Sequence, residues 1–245
     1  MGIRVGVLGA AGRMGTATCD AVEDDEGLSL VARVGRDDDL DRLVSAGAEV
    51  AVDFTTPGSV KDNIRFCVTH GVHAVVGTTG LSAGDFEEIE SWTEGGSANV
   101  FAAPNFAVGA VLMMRLAAQA APFFDTAEII ERHHTKKRDA PSGTSLRTAS
   151  LMNDARGKPW QVTEGAARLL EGSRGGDVAG IRIHSLRVTG SVAHHEVVLG
   201  SEGETLSIRH DSLDRSSFMP GVLLAVRRVP ALPGLTVGLE HLLDL

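Results

Sequence analysis

Near its start the sequence reads Ile3-Arg4-Val5-Gly6-Val7-Leu8-Gly9-Ala10-Ala11-Gly12-Arg13-Met14-Gly15, an apolar run followed at once by three evenly spaced glycines. Such a run is typical of a buried strand, and the residues that follow have the pattern of a helix extending to about Glu23. Glycines at a strand-to-helix turn let the backbone approach a phosphate, which then rests on the helix N-terminus. The spacing therefore predicts a dinucleotide loop, with a plain turn and helix cap as the alternative.

The rest of the first half alternates between short apolar strands and helical stretches. The strands lack polar alternation, which is typical of a parallel sheet covered on both faces. This pattern predicts a doubly wound, Rossmann-like α/β domain. The further predicted strands span 28–34, 50–54, 74–76 and 99–102, and the predicted helices lie near 58–69 and 83–93.

After Phe106 the pattern changes, which indicates a second, α+β domain. A long apolar helix is predicted from 107 to about 121, a strand over 127–130 and a helix from 142 to about 155. Residues 157–180 are predicted to form a long loop. Three strands over 181–187, 194–199 and 205–210 follow one another, so an antiparallel or mixed sheet is expected. A helix over 217–228 and a tail rich in proline and glycine complete the chain.

The composition excludes several classes of function. With 43% hydrophobic and 22% charged residues among 245, the chain has the balance of a globular protein. Its formal net charge of −9 argues against a nucleic-acid binder, whose surface would be basic. No long apolar run or signal-peptide pattern is present, so a cytoplasmic protein without membrane contact is expected. The chain has no tyrosine, which excludes a Tyr–Lys dehydrogenase mechanism. Cys19 and Cys67 are expected to be buried core thiols.

The end of the second predicted strand bears on the choice of cofactor. In a dinucleotide fold an acidic residue there binds the ribose 2′-hydroxyl, whereas an arginine accommodates a 2′-phosphate. Here Gly35 stands nearest the ribose and Arg36 follows it, with Arg13 in the glycine loop as a second cation. This favours NADPH over NADH, although the aspartates at 37–39 offer an alternative ribose contact.

Three further loops follow predicted strands and should meet the same edge of the sheet, where ligands of α/β proteins bind. Gly77-Thr78-Thr79-Gly80 offers backbone and hydroxyl groups suited to nicotinamide or substrate. Ala103-Pro104-Asn105-Phe106 leaves the next strand. In Asp53-Phe54-Thr55-Thr56-Pro57 the aspartate is equally well explained as a cap for the following helix or as a ligand contact.

The most unusual segment is Glu131-Arg132-His133-His134-Thr135-Lys136-Lys137-Arg138-Asp139-Ala140-Pro141-Ser142-Gly143-Thr144. A solvated run of charge is one interpretation. The other is a substrate site, because Ser142–Thr144 has the pattern of a helix N-terminus that attracts an anion. Lys137 and His134 can hold a second carboxylate. Adjacent histidines on an extended strand point to opposite faces, so one of them could be a packed or capping residue.

Other charged residues are predicted to have lesser roles. Lys136 is expected to be a solvated charge, and Asp139 to orient the turn. The sequence His194-His195-Glu196 suggests part of a zinc site, but no third ligand stands at a suitable spacing, so no metal is predicted.

Together, the motifs at 9–15, 53–57, 77–80, 103–106 and 131–144 closely resemble those of the 4-hydroxy-tetrahydrodipicolinate reductases, also called dihydrodipicolinate reductases. The resemblance covers essentially the whole chain, and the C-terminal third is similar to actinobacterial members. It implies NADPH- or NADH-dependent reduction of a cyclic dicarboxylate in lysine and diaminopimelate biosynthesis. It also implies a dinucleotide-binding domain, 1–106 and 215–245, split around a substrate-binding domain, 107–214, whose sheets assemble a homotetramer.

The resemblance also assigns roles to residues. His133 matches the catalytic acid/base, Lys137 the proton donor and His134 a substrate ligand. Gly143 and Thr144 match the substrate-carboxylate site, which Ser142 adjoins. The family often carries an acidic residue where Gly35 stands. The residues that match cofactor contacts are Gly9, Ala10, Ala11, Gly12, Arg13, Met14, Gly77, Thr78, Thr79, Ala103, Pro104, Asn105 and Phe106.

Two other functions fit parts of this pattern. A relative of aspartate or homoserine dehydrogenase should lack His-His-x-x-Lys followed by Pro-Ser-Gly-Thr. A dinucleotide sensor without catalysis should have lost His133 or Lys137, and both are present. The reductase is therefore the leading expectation.

Overall fold

The computed structural model describes residues 2–161 and 169–243, and the chain divides into two compact units. The first unit consists of Met1–Val108 and Arg215–Leu245, and the second of Gly109–Asp214. The C-terminal segment thus returns to the unit in which the N-terminal segment lies. Each unit is built around one β-sheet.

The sheet of the first unit has six strands in the order β11-β5-β4-β3-β1-β2, and all its pairs are parallel. The strands are β1 (Ile3–Leu8), β2 (Leu28–Val34), β3 (Val50–Asp53), β4 (His73–Val76), β5 (Val100–Ala102) and β11 (Leu235–Val237). The order reverses between β1 and β3, which confirms the predicted doubly wound fold. In such folds ligands bind beyond the carboxyl ends of the strands at this reversal.

Helices connect the strands and cover the sheet. They are α1 (Arg13–Glu23), α2 (Asp41–Ser45), α3 (Val60–Thr69), α4 (Ala83–Thr93) and α7 (Met219–Arg228). Their apolar faces and the strands form one core that includes Leu8, Ile64 and Ile89, each at most 1% exposed. The sequence pattern predicts neither α2 nor β11. Both are too short to show a period, and β11 exists because it pairs with β5.

The second unit has a mixed five-stranded sheet in the order β10-β9-β6-β8-β7. Its strands are β6 (Thr126–His133), β7 (Gly176–Val178), β8 (Ile181–Arg187), β9 (Ala193–Ser201) and β10 (Glu204–Ser212). β6 pairs in parallel with β8 and antiparallel with β9, so the expectation of an antiparallel or mixed sheet is confirmed as mixed. The helices α5 (Val108–Ala120) and α6 (Gly143–Arg156) accompany it.

Two predictions for the second unit need correction. β6 continues three residues beyond the predicted end at 130, because its pairing with β8 and β9 extends as far as His133. The charged residues 131–133 therefore belong to a strand, although their composition suggests a loop. Within the predicted loop 157–180, Gly176–Val178 forms β7 by pairing with β8, while 162–168 lie outside the described residues.

Cys19 and Cys67 are both buried and free, which confirms the prediction of core thiols. Burial raises the pKa of the Cys67 thiol to about 12. In the part of the chain that the structure describes, no helix combines the length and the apolar character needed to cross a membrane.

Candidate active site

The glycine loop joins β1 to α1 with a backbone packed too closely for side chains. Gly9 has a φ of +74°, and a Cβ there would lie 2.4 Å from the carbonyl oxygen of Phe54. A Cβ on Gly15 would lie 2.1 Å from the carbonyl oxygen of Gly9. α1 begins at Arg13, and Gly12 at the N-cap has no side chain to occupy the first-turn N–H groups. The loop is therefore shaped to hold a phosphate against the helix N-terminus.

A cavity of about 660 Å³ lies beside this loop, within the size range of small-molecule sites. It brings the glycine loop together with the end of β2 and the loop after β3. Four predicted cofactor residues, Gly9, Ala11, Gly12 and Arg36, line it, and so does Asp38.

Asp38 occupies the space that the glycine at the end of β2 leaves open. Its Oδ2 accepts a hydrogen bond from the backbone N–H of Gly35 at 2.8 Å, and its Oδ1 pairs with Arg42. A Cβ on Gly35 would lie 3.2 Å from this Oδ2. The Gly35 N–H holds the pKa of the Asp38 carboxyl below its usual range, with Arg42 contributing. A carboxylate from three residues further along thus stands beside Gly35, which carries none of its own.

Asp53 is buried and joins the loops that follow β3 and β4. Its Oδ1 accepts hydrogen bonds from Thr55 N at 2.9 Å and Thr78 Oγ1 at 2.6 Å, and its Oδ2 accepts one from Asn63 Nδ2 at 2.7 Å. The N-cap of α3 is Ser59, so of the two alternatives for Asp53 the helix cap is wrong. Asp53 instead fixes Thr78 relative to the loop after β3.

A second cavity, of about 190 Å³, brings together the loops after β4 and β5. The predicted cofactor residues Thr78, Thr79, Ala103 and Pro104 line it. A Cβ on Gly77 would lie 2.1 Å from the Phe54 ring, so only glycine fits there.

The remaining predicted cofactor residues differ in what they can offer a ligand. Phe106 is 3% exposed and its ring packs against Phe54 and Phe101, so only its backbone remains for a ligand. Asn105 Oδ1 accepts from Ala107 N at 2.9 Å and closes the turn. In the glycine loop Ala10 and Met14 are half-buried and Arg13 is exposed.

The basic segment, residues 131–144, begins on a strand and ends at a helix. His133 is the last residue of β6, and Ser142 is the N-cap of α6, with its Oγ accepting from Ser145 N at 3.1 Å. The predicted helix N-terminus is therefore confirmed. Gly143 and Thr144 open the helix, and a Cβ on Gly143 would meet no atom within 4 Å. An anion has space at this helix end, as the predicted carboxylate site requires.

Glu131 is the first residue of the basic segment. It lies on the buried face of β6 and is 0% exposed. Arg187 Nη1 and Nη2 donate to its two carboxylate oxygens at 2.9 Å each. Ser142 N donates to Oε1 at 3.2 Å, and His133 Nδ1 pairs with Oε2. Burial tends to raise the pKa of this carboxyl, but hydrogen bonds from Arg187, Ser185 and His133 outweigh it and hold the pKa below its usual range.

Two histidine rings meet above this carboxylate. His133 and His195 pack edge to face with ring centroids 5.2 Å apart, and His195 Nε2 lies 2.8 Å from Ser142 Oγ. Burial lowers the pKa of His133, although Glu131 opposes the shift. Burial, followed by the nearby His133, lowers the pKa of His195 to about 4. Both shifts favour the neutral form of the ring at pH 7.

The turn after β6 holds the other predicted residues. Lys137 Nζ donates to the Asp139 carboxylate oxygens at 2.9 and 2.7 Å, and this hydrogen bonding lowers the pKa of Asp139. His134 Nδ1 is buried and has no hydrogen-bond partner among residues 2–161 and 169–243, which leaves it available to a ligand. Lys136 is exposed, as predicted.

His194 and His195 point to opposite faces of the sheet, because successive side chains alternate along β9. His195 points to the buried face and contacts Ser142, whereas His194 Nδ1 pairs with Asp211 on β10. The two rings therefore do not face a common point.

Comparison with known proteins agrees with this geometry. Residues 3–106 match the family described as "Dihydrodipicolinate reductase, N-terminus", and residues 109–243 match "Dihydrodipicolinate reductase, C-terminus". The chain belongs to the dihydrodipicolinate reductase family. 4-Hydroxy-tetrahydrodipicolinate reductases of Nocardia farcinica and Corynebacterium aurimucosum are 54% and 53% identical to it over 248 residues, covering 100% of both chains in each case. The solved structure of dipicolinate-bound dihydrodipicolinate reductase from Paenisporosarcina sp. TG-14 aligns with a TM-score of 0.90 and 36% identity over 99% of this chain and 100% of that one.

Membership of the dihydrodipicolinate reductase family confirms the resemblance that the motifs predict, including the likeness to actinobacterial proteins. The family and its Rossmann-like unit imply a nicotinamide dinucleotide cofactor. The glycine loop, which excludes side chains, and the adjoining cavity fit such a group.

The sequence pattern did not single out four residues of these sites in the dihydrodipicolinate reductase chain: Glu131, Arg187, His195 and Asp38. The signal for Glu131 is its place in the alternation of β6: it is acidic, whereas the preceding inward positions, Ala127 and Ile129, are apolar. Its partner Arg187 is 56 residues away, and no local pattern connects them. The sequence suggests His195 only as a zinc ligand, and it presents Asp38 only as one of three equivalent aspartates.

Proposed function

We propose that the chain reduces 4-hydroxy-tetrahydrodipicolinate to tetrahydrodipicolinate with NADPH or NADH, a step of lysine and diaminopimelate biosynthesis. The 4-hydroxyl group leaves as water, and the conjugated system that remains takes up one hydride and one proton. The observation that carries this proposal is the cluster of Glu131, His133 and Lys137 beside the N-terminus of α6, in a chain of this reductase family. The cluster combines groups that exchange protons with groups that hold anions. The same proposal places the enzyme in the cytoplasm, where reduced nicotinamide dinucleotides are available.

The substrate carries two carboxylates, and the second unit offers two places for them. N–H groups at Gly143 and Thr144 bind one at the start of α6, next to Ser142, whose own N–H donates to Glu131. His134 and the Lys137 ammonium bind the other by charge-assisted hydrogen bonds.

Proton delivery falls to Lys137 and His133. Reduction of a conjugated carbon–nitrogen system needs a proton at the site where electron density develops, and a positioned acid contributes about 10²–10⁴-fold to the rate. Lys137 carries such a proton. The lowered pKa of His133 favours its neutral form at pH 7, and the arrival of a dianion beside it raises its proton affinity. His133 therefore exchanges a proton with the bound substrate.

The dinucleotide binds to the first unit, and its nicotinamide supplies the hydride. The proposed contacts are Gly9–Met14, Arg36, Gly77–Thr79 and Ala103–Phe106. We infer a preference for NADPH because Arg36 lines the cavity at the end of β2 and Gly35 carries no carboxylate. Asp38 opposes this preference, since a carboxylate repels a 2′-phosphate and accepts from a 2′-hydroxyl.

The second unit also assembles the enzyme into a homotetramer through its sheet. One face of β6 is buried, and the other carries half-exposed side chains, including Ile130 and Arg132. Val198 on β9 pairs with Glu128 on β6, lies on this same face and is also half-exposed. Arg132 Nε is buried and has no hydrogen-bond partner within the described parts of the chain. A half-exposed sheet face that carries apolar side chains and an unsatisfied guanidinium N–H supports pairing with a second copy.

Activity is tested with purified protein, substrate generated enzymatically, and NADPH, whose oxidation is followed by absorbance. Turnover that requires both substrate and NADPH is expected. Aspartate and homoserine, tested with oxidised cofactor, serve as controls for the related dehydrogenases. Absence of turnover with the generated substrate would refute the proposal.

A further inference from the structure

Among residues 2–161 and 169–243, Glu131 is the one carboxylate that is buried at the substrate cluster. A charge at 0% exposure persists only where it is paired and fully hydrogen-bonded. Four nitrogen donors surround it, two from the Arg187 guanidinium, one from Ser142 N and one from His133 Nδ1, and the Ser185 side chain adds a further hydrogen bond. The guanidinium and the Ser142 N–H can only donate, and the guanidinium is a cation, so the carboxylate is ionised.

The ionised carboxylate decides which nitrogen of His133 carries the proton. A carboxylate can only accept, and it contacts Nδ1, so Nδ1 must carry the hydrogen of the neutral ring. Nε2 then holds a lone pair and is the atom that can accept a proton. When it does, the imidazolium lies directly against a negative charge.

The Glu131–Arg187 ion pair also fixes the loop between β6 and α6, which carries the predicted substrate-binding residues. Arg187 Nη2 also donates to the carbonyl oxygen of Asp139 at 2.7 Å. Glu131 holds His133 at the start of the loop and Ser142 N at its end. One pair of side chains from β6 and β8 thereby sets the distance between the proton-exchanging histidine and the helix N-terminus.

We propose that Glu131, with Arg187 as its counter-ion, is the positioning residue of this site: it fixes the Nδ1–H form of His133 so that Nε2 exchanges the proton. The proposal rests on the proposed reductase function. The charged and titratable groups around His133 are Glu131 on its own strand, Arg187 on β8, His195 on β9 and Lys137 in the turn. Of these protein groups, only Glu131 carries negative charge, so Glu131 is the one among them that stabilises the imidazolium.

The variant Glu131→Gln tests the proposal. The carboxylate has two acceptor oxygens, whereas the amide has one oxygen and one NH₂ donor, so the NH₂ must face some of the donors around it. At the Oε1 position NH₂ would face Arg187 Nη2 and Ser142 N, and neither can accept. At the Oε2 position it faces Arg187 Nη1 and His133 Nδ1, and Nδ1 can accept if the proton moves to Nε2. The substitution therefore drives His133 into the opposite, Nε2–H form and leaves Ser142 N with an oxygen acceptor.

Two measurements test the proposal: the protonated nitrogen of His133 and the steady-state kinetics. Nitrogen NMR of histidine-labelled protein, assigned with a His133→Gln variant, should show neutral His133 protonated on Nδ1 in the wild type and on Nε2 in Glu131→Gln. Steady-state kinetics should show kcat lowered by about 10²–10⁴-fold, the contribution of general acid–base catalysis. KM for the substrate should change by less than about threefold, because the helix N-terminus keeps its acceptor. The control Glu49→Gln removes the carboxylate of the half-exposed Arg4–Glu49 pair in the first unit, and its kcat should match the wild type.

An Nε2–H form in the wild type overturns the proposal, and so does a kcat within threefold of wild type in Glu131→Gln. If the variant does not fold, the wild-type spectrum alone decides. If the wild-type protein shows no turnover, the proposed function fails, while the spectrum still decides whether Glu131 sets the tautomer.

Discussion

The ammonium of Lys137 lies 2.9 and 2.7 Å from the two carboxylate oxygens of Asp139, so the proposed proton donor is paired before any substrate arrives. The side chain of Asp139 is 63% exposed, and exposed pairs of this kind contribute about 0–1 kcal/mol. A substrate carboxylate can therefore replace Asp139 at little cost. The pair keeps the ammonium in the turn without making it inaccessible.

Replacing Lys137 with alanine should separate catalysis from cofactor binding. The variant Lys137→Ala should lower kcat/KM by about 10²–10⁴-fold, because a proton donor and a carboxylate contact are lost together. The dissociation constant for NADPH, measured by fluorescence titration, should stay within about twofold. Lys136→Ala is the control, since this neighbouring lysine is exposed, and it should retain wild-type activity. Parallel loss of NADPH affinity in Lys137→Ala would contradict the division into two sites.

Cofactor preference should depend on Arg36 and Asp38 in opposite directions. Arg36→Ala should lower kcat/KM for NADPH by about tenfold, the value of one charge-assisted contact at an exposed site, and leave NADH nearly unaffected. Asp38→Asn should favour NADPH further, because a carboxylate beside Gly35 is removed. The exposed Asp37 is the control, and Asp37→Asn should leave the ratio unchanged. A wild-type preference for NADH would refute the inferred role of Arg36.

The hydrogen bond from Thr78 to Asp53 should contribute to the stability of the first unit. Thr78→Val keeps the shape of the side chain but leaves the buried Asp53 with one donor fewer, at a cost of about 1–3 kcal/mol in the free energy of unfolding. Urea denaturation measures this change. The exposed neighbour Thr79 provides the matched variant Thr79→Val, for which a change below about 0.5 kcal/mol is expected. Equal costs in the two variants would show that the buried contact adds nothing.

His195 should make stability depend on pH. Burial lowers its pKa from an ordinary 6.5 to about 4, so between these values the unfolded chain binds a proton that the folded chain does not. The free energy of unfolding must then fall as the pH falls through this window. One such group contributes at most about 1.4 kcal/mol per pH unit.

Urea unfolding at several pH values in this window measures that slope. His195→Gln should make it shallower, whereas His241→Gln, at an exposed position, should not change it. An unchanged slope in His195→Gln would mean that the buried histidine is not neutral in the folded protein.

The half-exposed face of the second sheet should determine the oligomeric state. A tetramer is expected for the wild type by light scattering, and Ile130→Glu should dissociate it because a charge would be buried between copies. Val44→Glu places the same charge at a 43% exposed position of the first unit and should leave the mass unchanged. A monomeric wild type at micromolar concentration would contradict the proposed assembly.

The elements that the sequence predicts well are those with a strong local pattern. The apolar runs at 3–8 and 28–34 are strands with those limits, and the Ser-Gly-Thr turn begins a helix as its capping chemistry requires. The tertiary pairing changed other predictions. β6 extends through charged residues because β8 and β9 flank it, and β11 forms in the tail because β5 offers an edge.

By itself, the sequence determined the fold class, the glycine loop and the position of the basic segment, because each depends on residues that are neighbours along the chain. The tertiary structure alone decided how that segment is organised. It joined Glu131 to Arg187 across 56 residues and Ser142 to His195 across 53. It also turned Asp38 back onto Gly35. A local pattern of charge indicates exposure to solvent, and only packing between distant strands brings a counter-ion that makes a buried glutamate stable.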